Sequence, residues 1–249
     1  MTQPRKRGDR GDATRNRILD TAERLFAEHG FASVSLRTIT SAARVNIAAV
    51  NYYFKSKDAL FEAIFIRRVV PINLERLRLL EAAMAKPQSP AAAVEALVRA
   101  FVEPHLRLTH EFGPGGAAIM QFMGRINTEP NHAIERIVLK QYDPVWWRFA
   151  EAMQKILPQL DKAAIYWRFY YMLGTLYYVT SARTWLPTRS ENLCDPGDPD
   201  SVLAHIVPFL VGAFKADPPP RDPPKVAKST AKPTAKPTAK TKPKLKPGA

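Results

Sequence analysis

The chain has 249 residues, of which 46% are hydrophobic and 24% charged, with one cysteine and a formal net charge of +14. This length can bury a sizeable core, and the single Cys194 excludes an intramolecular disulfide framework and zinc sites built from several cysteines. No apolar run reaches the roughly 18 residues of a membrane helix, and no apolar signal segment follows the basic N-terminus. We therefore expect a soluble cytoplasmic protein that contacts no membrane.

Most of the positive charge lies at the two ends of the chain. Residues 1–17 hold six Arg and Lys against two Asp, a net of +4, and residues 216–249 hold nine against two, a net of +7. The residues between them are nearly neutral. Basic arms bind polyanions by releasing counterions, so the distribution favours nucleic acid as a partner, although such tails can also serve solubility alone.

The C-terminal end repeats Lys, Pro, Thr and Ala from Lys228 to Lys240. Proline blocks helix formation, like charges repel, and apolar residues are nearly absent, so this segment cannot bury enough surface to fold. The sequence therefore predicts a disordered basic tail over residues 216–249, which is similar in composition to linker-histone tails.

From Asp12 to Phe214 apolar residues recur at helical spacing, which predicts an all-α fold. The first helix carries an apolar stripe and stops at Gly30, while three polar residues are placed to cap the next three helices. These caps are Ser35, Asn46 and Ser56. The helix after Ser56 contains Pro71, which we expect to kink or interrupt it.

Five further helices are predicted in the remainder of the chain. They cover about residues 89–106, 114–125, 130–157, 160–185 and 199–215. The segment 186–199 is rich in Pro, Asp and Asn and is predicted to be a loop.

Three short helices with a tight turn before the third are the requirement of a helix-turn-helix reader, in which the third helix enters the DNA major groove. The segment from Ser35 to Phe54 meets it, because an inward apolar set can lock its two helices together. That set is Leu36, Ile39, Ala43, Val45, Val50 and Phe54.

Two runs of this region resemble the DNA-binding domain of the TetR family of transcriptional regulators. The first, from Thr14, reads T-R-N-R-I-L-D-T-A-E-R-L-F-A-E-H-G-F. The second, from Ser35 to Leu60, reads S-L-R-T-I-T-S-A-A-R-V-N-I-A-A-V-N-Y-Y-F-K-S-K-D-A-L. The resemblance implies an all-helical homodimer that binds a palindromic operator in double-stranded DNA and whose larger C-terminal domain binds a small effector, which releases the DNA.

The domain organisation that follows has four parts. They are a flexible basic arm (1–11), a helix-turn-helix DNA-binding domain (12–65), a ligand-binding and dimerisation domain (66–215) and the disordered tail (216–249).

The resemblance also assigns the DNA contacts. They fall on the start of the second helix, the third helix and the start of the fourth, and the outward positions and small Ala side chains there suit DNA recognition. The predicted DNA-binding residues are Ser35, Arg37, Thr38, Asn46, Ala48, Ala49, Asn51, Tyr52, Tyr53 and Lys57. Asn51 stands where many family members have Tyr, and Arg44 stands where a glycine is usual.

A weaker resemblance joins the chain to a branch of the family whose members respond to fatty acids or their acyl thioesters. It rests on the segment from Val45 to Phe54, on F-I-R-R-V-V-P-I-N-L-E-R-L from Phe65, and on the apolar segment from Val202 to Phe214. It implies an apolar or acyl effector.

Aromatic and methionine side chains are typical of a pocket for such an effector. The predicted ligand-binding residues are Met120, Met123, Arg125, Trp146, Trp147, Trp167, Tyr170, Tyr171 and Tyr177. The same residues could instead form core or dimer interface, and Arg125 could pair with an effector carboxylate or with Glu129. The last two long helices are apolar on several sides, which favours dimerisation through them.

Enzyme and metal functions are not indicated. His105 and His110 are five residues apart, which does not stack them on one helical face, and no nucleophile elbow or phosphate loop is present. We expect neither a cofactor nor a metal. The sequence thus predicts a ligand-responsive transcriptional regulator, most simply a repressor, and leaves open an architectural nucleic-acid-binding protein dominated by its basic tail.

Overall fold

The computed structural model describes residues 7–86, 88–111, 132–181 and 185–218. Within them the chain forms nine helices and no strand. The helices are α1 (Arg7–His29), α2 (Leu36–Ala43), α3 (Ile47–Tyr53), α4 (Lys57–Ala85), α5 (Pro90–Glu111), α6 (His132–Ile156), α7 (Lys162–Ser181), α8 (Trp185–Arg189) and α9 (Pro199–Lys215). None of these helices combines the length and hydropathy of a membrane span.

The predicted all-α class is confirmed, and the described residues up to Pro218 form one compact unit. The helix predicted over 114–125 lies outside the described residues, as does the basic tail beyond residue 218.

The polar caps predicted from the sequence are confirmed. Ser35 Oγ accepts the backbone N–H of Thr38 at 3.0 Å at the start of α2. Asn46 Oδ1 accepts the N–H of Ala48 at 2.9 Å before α3, and Ser56 Oγ accepts that of Ala59 at 3.0 Å before α4. Each cap satisfies a backbone donor that the helix itself leaves without an acceptor.

Two predicted boundaries are wrong. Helix α1 begins at Arg7 rather than at Asp12, so residues 7–11, expected in the flexible arm, are helical. The short helix α8 occupies the start of the segment 186–199, which was predicted to be a loop. The helix predicted over 160–185 is described as far as Ser181, and residues 182–184 lie outside the described part of the chain.

Pro71 does not interrupt α4, which runs unbroken from Lys57 to Ala85. A proline inside a helix removes one backbone donor. Here its ring lies on the exposed side, while the neighbouring Val69 and Ile72 are buried on the inward side and hold the helix in place. Packing on one face therefore outweighs the single lost hydrogen bond.

The helices enclose two hydrophobic cores. We call residues 7–69 the head and residues 70–218 the body. The core of the head is formed by α1, α2, α3 and α4 up to Val69, and Ile134 of α6 is buried in it. The core of the body lies between α5, the second half of α6, α7 and α9, with Leu80 of α4 at its edge.

An ion cluster joins α1 to α4, and we call it the ion clamp. Its members are Asp20, Glu23, Arg67 and Arg68. The Glu23 carboxylate is only 3% exposed and accepts hydrogen bonds from both arginines, at 2.9 Å from Arg68 Nη2. Arg67 also reaches Asp20 at 2.7 Å. A buried carboxylate needs such compensation, so the clamp fixes the angle between the two helices.

Polar contacts hold both ends of α9 to the neighbouring helices of the body. Arg107 of α5 pairs with Asp200 in the first turn of α9 at 3.0 Å. At the other end, the Arg168 guanidinium of α7 donates to the backbone oxygens of Phe214 at 2.7 Å and Ala216 at 2.6 Å. These bonds satisfy carbonyl groups that a helix C-terminus leaves free.

Candidate nucleic-acid interface

The turn between α2 and α3 has the geometry of a helix-turn-helix. Arg44 adopts the left-handed conformation with φ of 52°, which lets the N–H of Val45 bond the Thr40 carbonyl at 3.0 Å. This conformation is costly for a residue with a Cβ, which explains why glycine suits the position.

The predicted inward set holds the two helices together. Ile39, Ala43, Val50 and Phe54 are buried, and Leu36 and Val45 pack against the same core. The opposite surface of α2 and α3 is therefore left to the polar residues.

None of the ten predicted DNA-binding residues is buried. Seven are exposed and three are half-buried. The exposed ones are Ser35, Arg37, Thr38, Asn46, Ala48, Asn51 and Tyr52, and the half-buried ones are Ala49, Tyr53 and Lys57. Tyr52 is the most exposed large hydrophobic side chain among the described residues of the head, at 79%, and its ring meets that of Tyr53 edge to face at 5.0 Å.

Lys57 is less free than the sequence suggests. Its ammonium group lies 4.3 Å from the centre of the Phe31 ring and 3.4 Å from the Ala32 carbonyl oxygen. Burial lowers its pKa, an effect partly offset by Asp58. Two cations not selected from the sequence, Arg44 and Lys55, are exposed on either side of α3.

The start of α1 lies beside the end of α3. A Cβ on Gly11 would stand 3.4 Å from the Tyr53 hydroxyl, and the Arg15 guanidinium is 5.4 Å from the centre of the Phe54 ring. The basic first turns of α1 therefore border the reading surface. This contact depends on the unforeseen helical extension of α1 to Arg7.

The comparisons with known proteins agree with this geometry. Residues 18–64 match the family model described as bacterial regulatory proteins, tetR family. Residues 99–213 match the tetracyclin repressor-like C-terminal domain. The chain belongs to the TetR family of transcriptional regulators. Members of this family are DNA-binding regulators rather than enzymes, and they act as homodimers that bind operators and respond to small molecules.

Individual TetR-family relatives match over most of their length. The chain is 27% identical to the transcriptional regulator UidR of Escherichia coli K12 over 154 residues, which cover 60% of this chain and 72% of UidR. Its fold is similar to that of NalD, the secondary repressor of the MexAB-OprM multidrug efflux pump in Pseudomonas aeruginosa. The TM-score is 0.55 at 19% identity, and the match covers 82% of this chain and 97% of NalD.

The fatty acid degradation regulator FadR of Bacillus halodurans is a further structural neighbour. Its TM-score is 0.55 at 16% identity, over 82% of this chain and 97% of FadR. At these identities the two structural neighbours establish the TetR-family fold and nothing finer.

Those predicted effector residues that the structure describes are not brought into one pocket. Met120, Met123 and Arg125 lie outside the described residues. Trp146 packs against the core of the body, 5.5 Å from the Phe169 ring centre, and Trp147 is half exposed beside Tyr166.

Five aromatic side chains instead form an exposed surface, which we call the aromatic row. Its members are Trp167, Tyr170, Tyr171 and Tyr178 of α7 and Phe209 of α9, each more than half exposed. Three of them were predicted to bind ligand. The adjoining cleft between α7 and α9 has a volume of about 370 Å³ and is lined by Val179, Ile206 and Phe209 among others.

The remaining predicted residue, Tyr177, belongs to a polar group inside the body, which we call the Arg76 cluster. Its members are Asn73, Arg76, His105, Tyr142 and Tyr177, from α4, α5, α6 and α7. The Arg76 side chain is fully buried. Its Nε donates to the Phe101 carbonyl at 2.8 Å and its Nη1 to Asn73 Oδ1 at 3.3 Å.

The phenols complete this cluster. Tyr142 is a hydrogen-bond partner of Arg76 and of Tyr177, and the rings of Tyr177 and His105 meet edge to face at 5.6 Å. Burial lowers the pKa of Arg76 and raises those of Tyr142 and Tyr177. At neutral pH the guanidinium is charged and both phenols are neutral.

The sequence offered one signal for this cluster. Asn73 and Arg76 interrupt the buried stripe of α4, which is apolar from Leu60 to Ile72 and again at Leu80. Across the described residues no group of His, Cys, Asp and Glu is arranged to hold a metal ion.

Proposed function

We propose that this TetR-family regulator reads its operator with α3 in the major groove and that it acts as a repressor in the cytoplasm. In this arrangement Arg37, Ala48 and Ala49 face base edges, while hydroxyl and amide groups such as those of Ser35 and Asn51 position the phosphates. The observation that carries the proposal is the division of α2 and α3 into a buried apolar face and an exposed face that holds the predicted contacts.

The basic start of α1 adds to this surface. Because Gly11 lies beside Tyr53 at the end of α3, Arg7 and Arg10 belong to a segment that borders the bound duplex. Arg44 and Lys55 extend the positive charge along the other edges of α3. These cations supply affinity that is independent of base sequence and weakens with salt.

We further propose that the aromatic row is the dimer interface and that effector binding within residues 66–215 lowers operator affinity. A row of aromatic side chains, each more than half exposed, is costly to leave in water, and aromatic residues are enriched at the centres of interfaces. A second copy related by a two-fold axis covers the row with itself. The same axis relates the two copies of α3 and so accounts for a palindromic operator.

In this proposal α4 transmits the structural change caused by effector binding to α3. Helix α4 starts at the reading surface, is held to α1 by the ion clamp and passes through the Arg76 cluster. A tilt of α4 would move the two recognition helices out of register with successive major grooves and thereby lower operator affinity. NalD, which shares the fold, is described as a repressor, in agreement with this direction of control.

The test is the selection of bound fragments from sheared genomic DNA. The full-length protein and a variant that lacks residues 217–249 are each incubated with the fragments at moderate salt. We expect both to enrich the same short inverted repeat, and we expect the shortened variant to have lower non-specific affinity and a shallower salt dependence. Enrichment of no sequence, with binding lost together with the tail, would contradict operator recognition by the head.

A further inference from the structure

We propose that the Arg76 cluster is the anion-recognition centre of the effector site, so that the effector is a small organic molecule carrying a carboxylate or a similar single acidic group. This inference rests on the proposed function, since it names the chemical class to which the regulator responds. It is carried by a fully buried cation, by the group of neutral donors around it and by the contacts that lead from it to the head.

The first observation is the charge balance of Arg76. Its side chain is 0% exposed, yet among the described residues its partners are a backbone carbonyl, an amide oxygen and a phenol, and none is a carboxylate. Its Nη2 has no hydrogen-bond partner there. A buried charge is ordinarily paired with an opposite charge, and among the described residues this guanidinium has no counter-ion.

The ion clamp shows that this chain can pair arginines with a buried carboxylate where those arginines serve only the fold. About two and a half turns earlier on the same helix, Arg67 and Arg68 share the buried carboxylate of Glu23. Glu75, which precedes Arg76 on α4, is not its counter-ion, because the Glu75 carboxylate pairs with Arg78 at 2.7 Å on the exposed side of the helix. The two arginine sites therefore differ in the presence of a resident carboxylate.

The second observation is the surroundings of the guanidinium. The hydroxyls of Tyr142 and Tyr177 belong to the same hydrogen-bonded group and can both donate to an incoming carboxylate. The Arg76 guanidinium also lies 4.1 Å from the centre of the Phe101 ring, which holds its plane in place. An arginine fork with two phenolic donors suits the two oxygens of a carboxylate.

The third observation connects the cluster to the head. The Tyr142 ring meets Phe65 at 6.0 Å, and Phe65 stacks on Phe61 at 6.1 Å. Phe61 in turn contacts Phe31 at 5.3 Å in the core of the head. A carboxylate that takes over the hydrogen bonds of Tyr142 would shift this ring against α4, which begins at the reading surface.

The experiment uses the full-length protein and two acids, octanoate and benzoate, each compared with its neutral amide at constant ionic strength. The acids represent an aliphatic and an aromatic body with the same acidic group. Thermal unfolding is measured for the wild type, for Arg76→Met and for the matched control Arg78→Met, whose arginine lies on the same helix but is exposed and paired with Glu75.

We expect at least one acid, at about ten times its dissociation constant, to raise the melting temperature of the wild type and of Arg78→Met by about 3 °C. We expect its amide to have no such effect, and Arg76→Met not to respond. Tyr142→Phe keeps the ring contact with Phe65 and loses the hydroxyl, so its dissociation constant for the acid should be about tenfold higher than that of the wild type. This variant keeps the test decisive even if Arg76→Met does not fold.

The proposal is overturned if neither acid stabilises the wild type, if the amides act equally, or if Arg76→Met or Tyr142→Phe responds as the wild type does. Release of the enriched operator is measured in parallel. Stabilisation through Arg76 without release would leave the anion site standing and contradict its role in regulation. Failure to enrich any operator would contradict the proposed function, while the unfolding measurements would still decide on the anion site.

Discussion

The head and the body distribute polarity in opposite ways. In the head, apolar side chains face inward, caps satisfy the helix ends, and the buried Glu23 is matched by two arginines. In the body, Arg76 lies inside without a carboxylate partner in the part of the chain that the structure describes, and a row of aromatic rings lies outside. A chain that folds alone avoids both arrangements. We infer that the body is completed by partners, an acidic ligand inside and a second copy outside.

The largest effect is expected when the ion clamp is broken. Glu23→Gln leaves Arg67 and Arg68 beside a buried neutral amide and should lower the free energy of unfolding by about 3 kcal/mol. Urea unfolding of the full chain measures it. The matched control is Glu95→Gln, which removes an exposed pair with Arg99 and should cost less than about 1 kcal/mol. Equal losses would mean that the ion clamp contributes no more than a surface pair.

The next effect tests the outer surface of the body. Tyr170→Glu places a charge in the aromatic row, twice in a symmetric dimer, and should raise the dimer dissociation constant by about 100-fold or more. Sedimentation at several concentrations measures this. Leu139→Glu, at a half-exposed apolar position of α6 outside the row, is the control and should remain dimeric. A Tyr170→Glu protein that dimerises like the wild type would place the interface elsewhere.

A smaller effect is expected on the outer surface of the head, where polar residues should serve DNA rather than the fold. Arg37→Ala should lower affinity for the enriched operator by about 1–3 kcal/mol, roughly 5-fold to 150-fold, with unchanged unfolding. The control is Arg99→Ala, an exposed arginine on α5. Titrations against operator and random duplexes provide the measurement. Unchanged discrimination between the two would remove Arg37 from the set of base contacts.

The smallest effect concerns Arg44, the left-handed residue in the turn between α2 and α3. Arg44→Gly relieves the left-handed conformation at φ 52° and should raise the free energy of unfolding by about 0.5–1 kcal/mol. Arg44→Ala removes the same charge but keeps the Cβ, so it should bring no gain. If both variants gain stability equally, charge repulsion rather than backbone strain is the cost at this position.

Local features of the head were predictable because they depend on neighbours in the sequence. Ser35, Asn46 and Ser56 cap helices that start one residue later, and the spacing of Ile39, Val50 and Phe54 defined the inward face. The start of α1 was missed because residues 7–11 contain no apolar stripe.

The body was less predictable because its side chains are assigned by tertiary contacts. An arginine on an amphipathic helix is ordinarily exposed, and only the approach of α5, α6 and α7 encloses Arg76. Helix α7 is apolar around most of its circumference, so its pattern could not distinguish the ring that faces the core, as Phe169 does, from one that faces out, as Tyr170 does.

The position of Ile134 within the core of the head has a consequence for building hybrid regulators. Ile137, Val138 and Tyr142 of the same helix pack against that core as well, so a cut after residue 65 would remove part of the support for Phe65. A chimera that grafts this reading surface onto the body of another family member should therefore carry the first half of α6 with it. The unit that can be exchanged is discontinuous in sequence, although the DNA contacts themselves occupy one short segment.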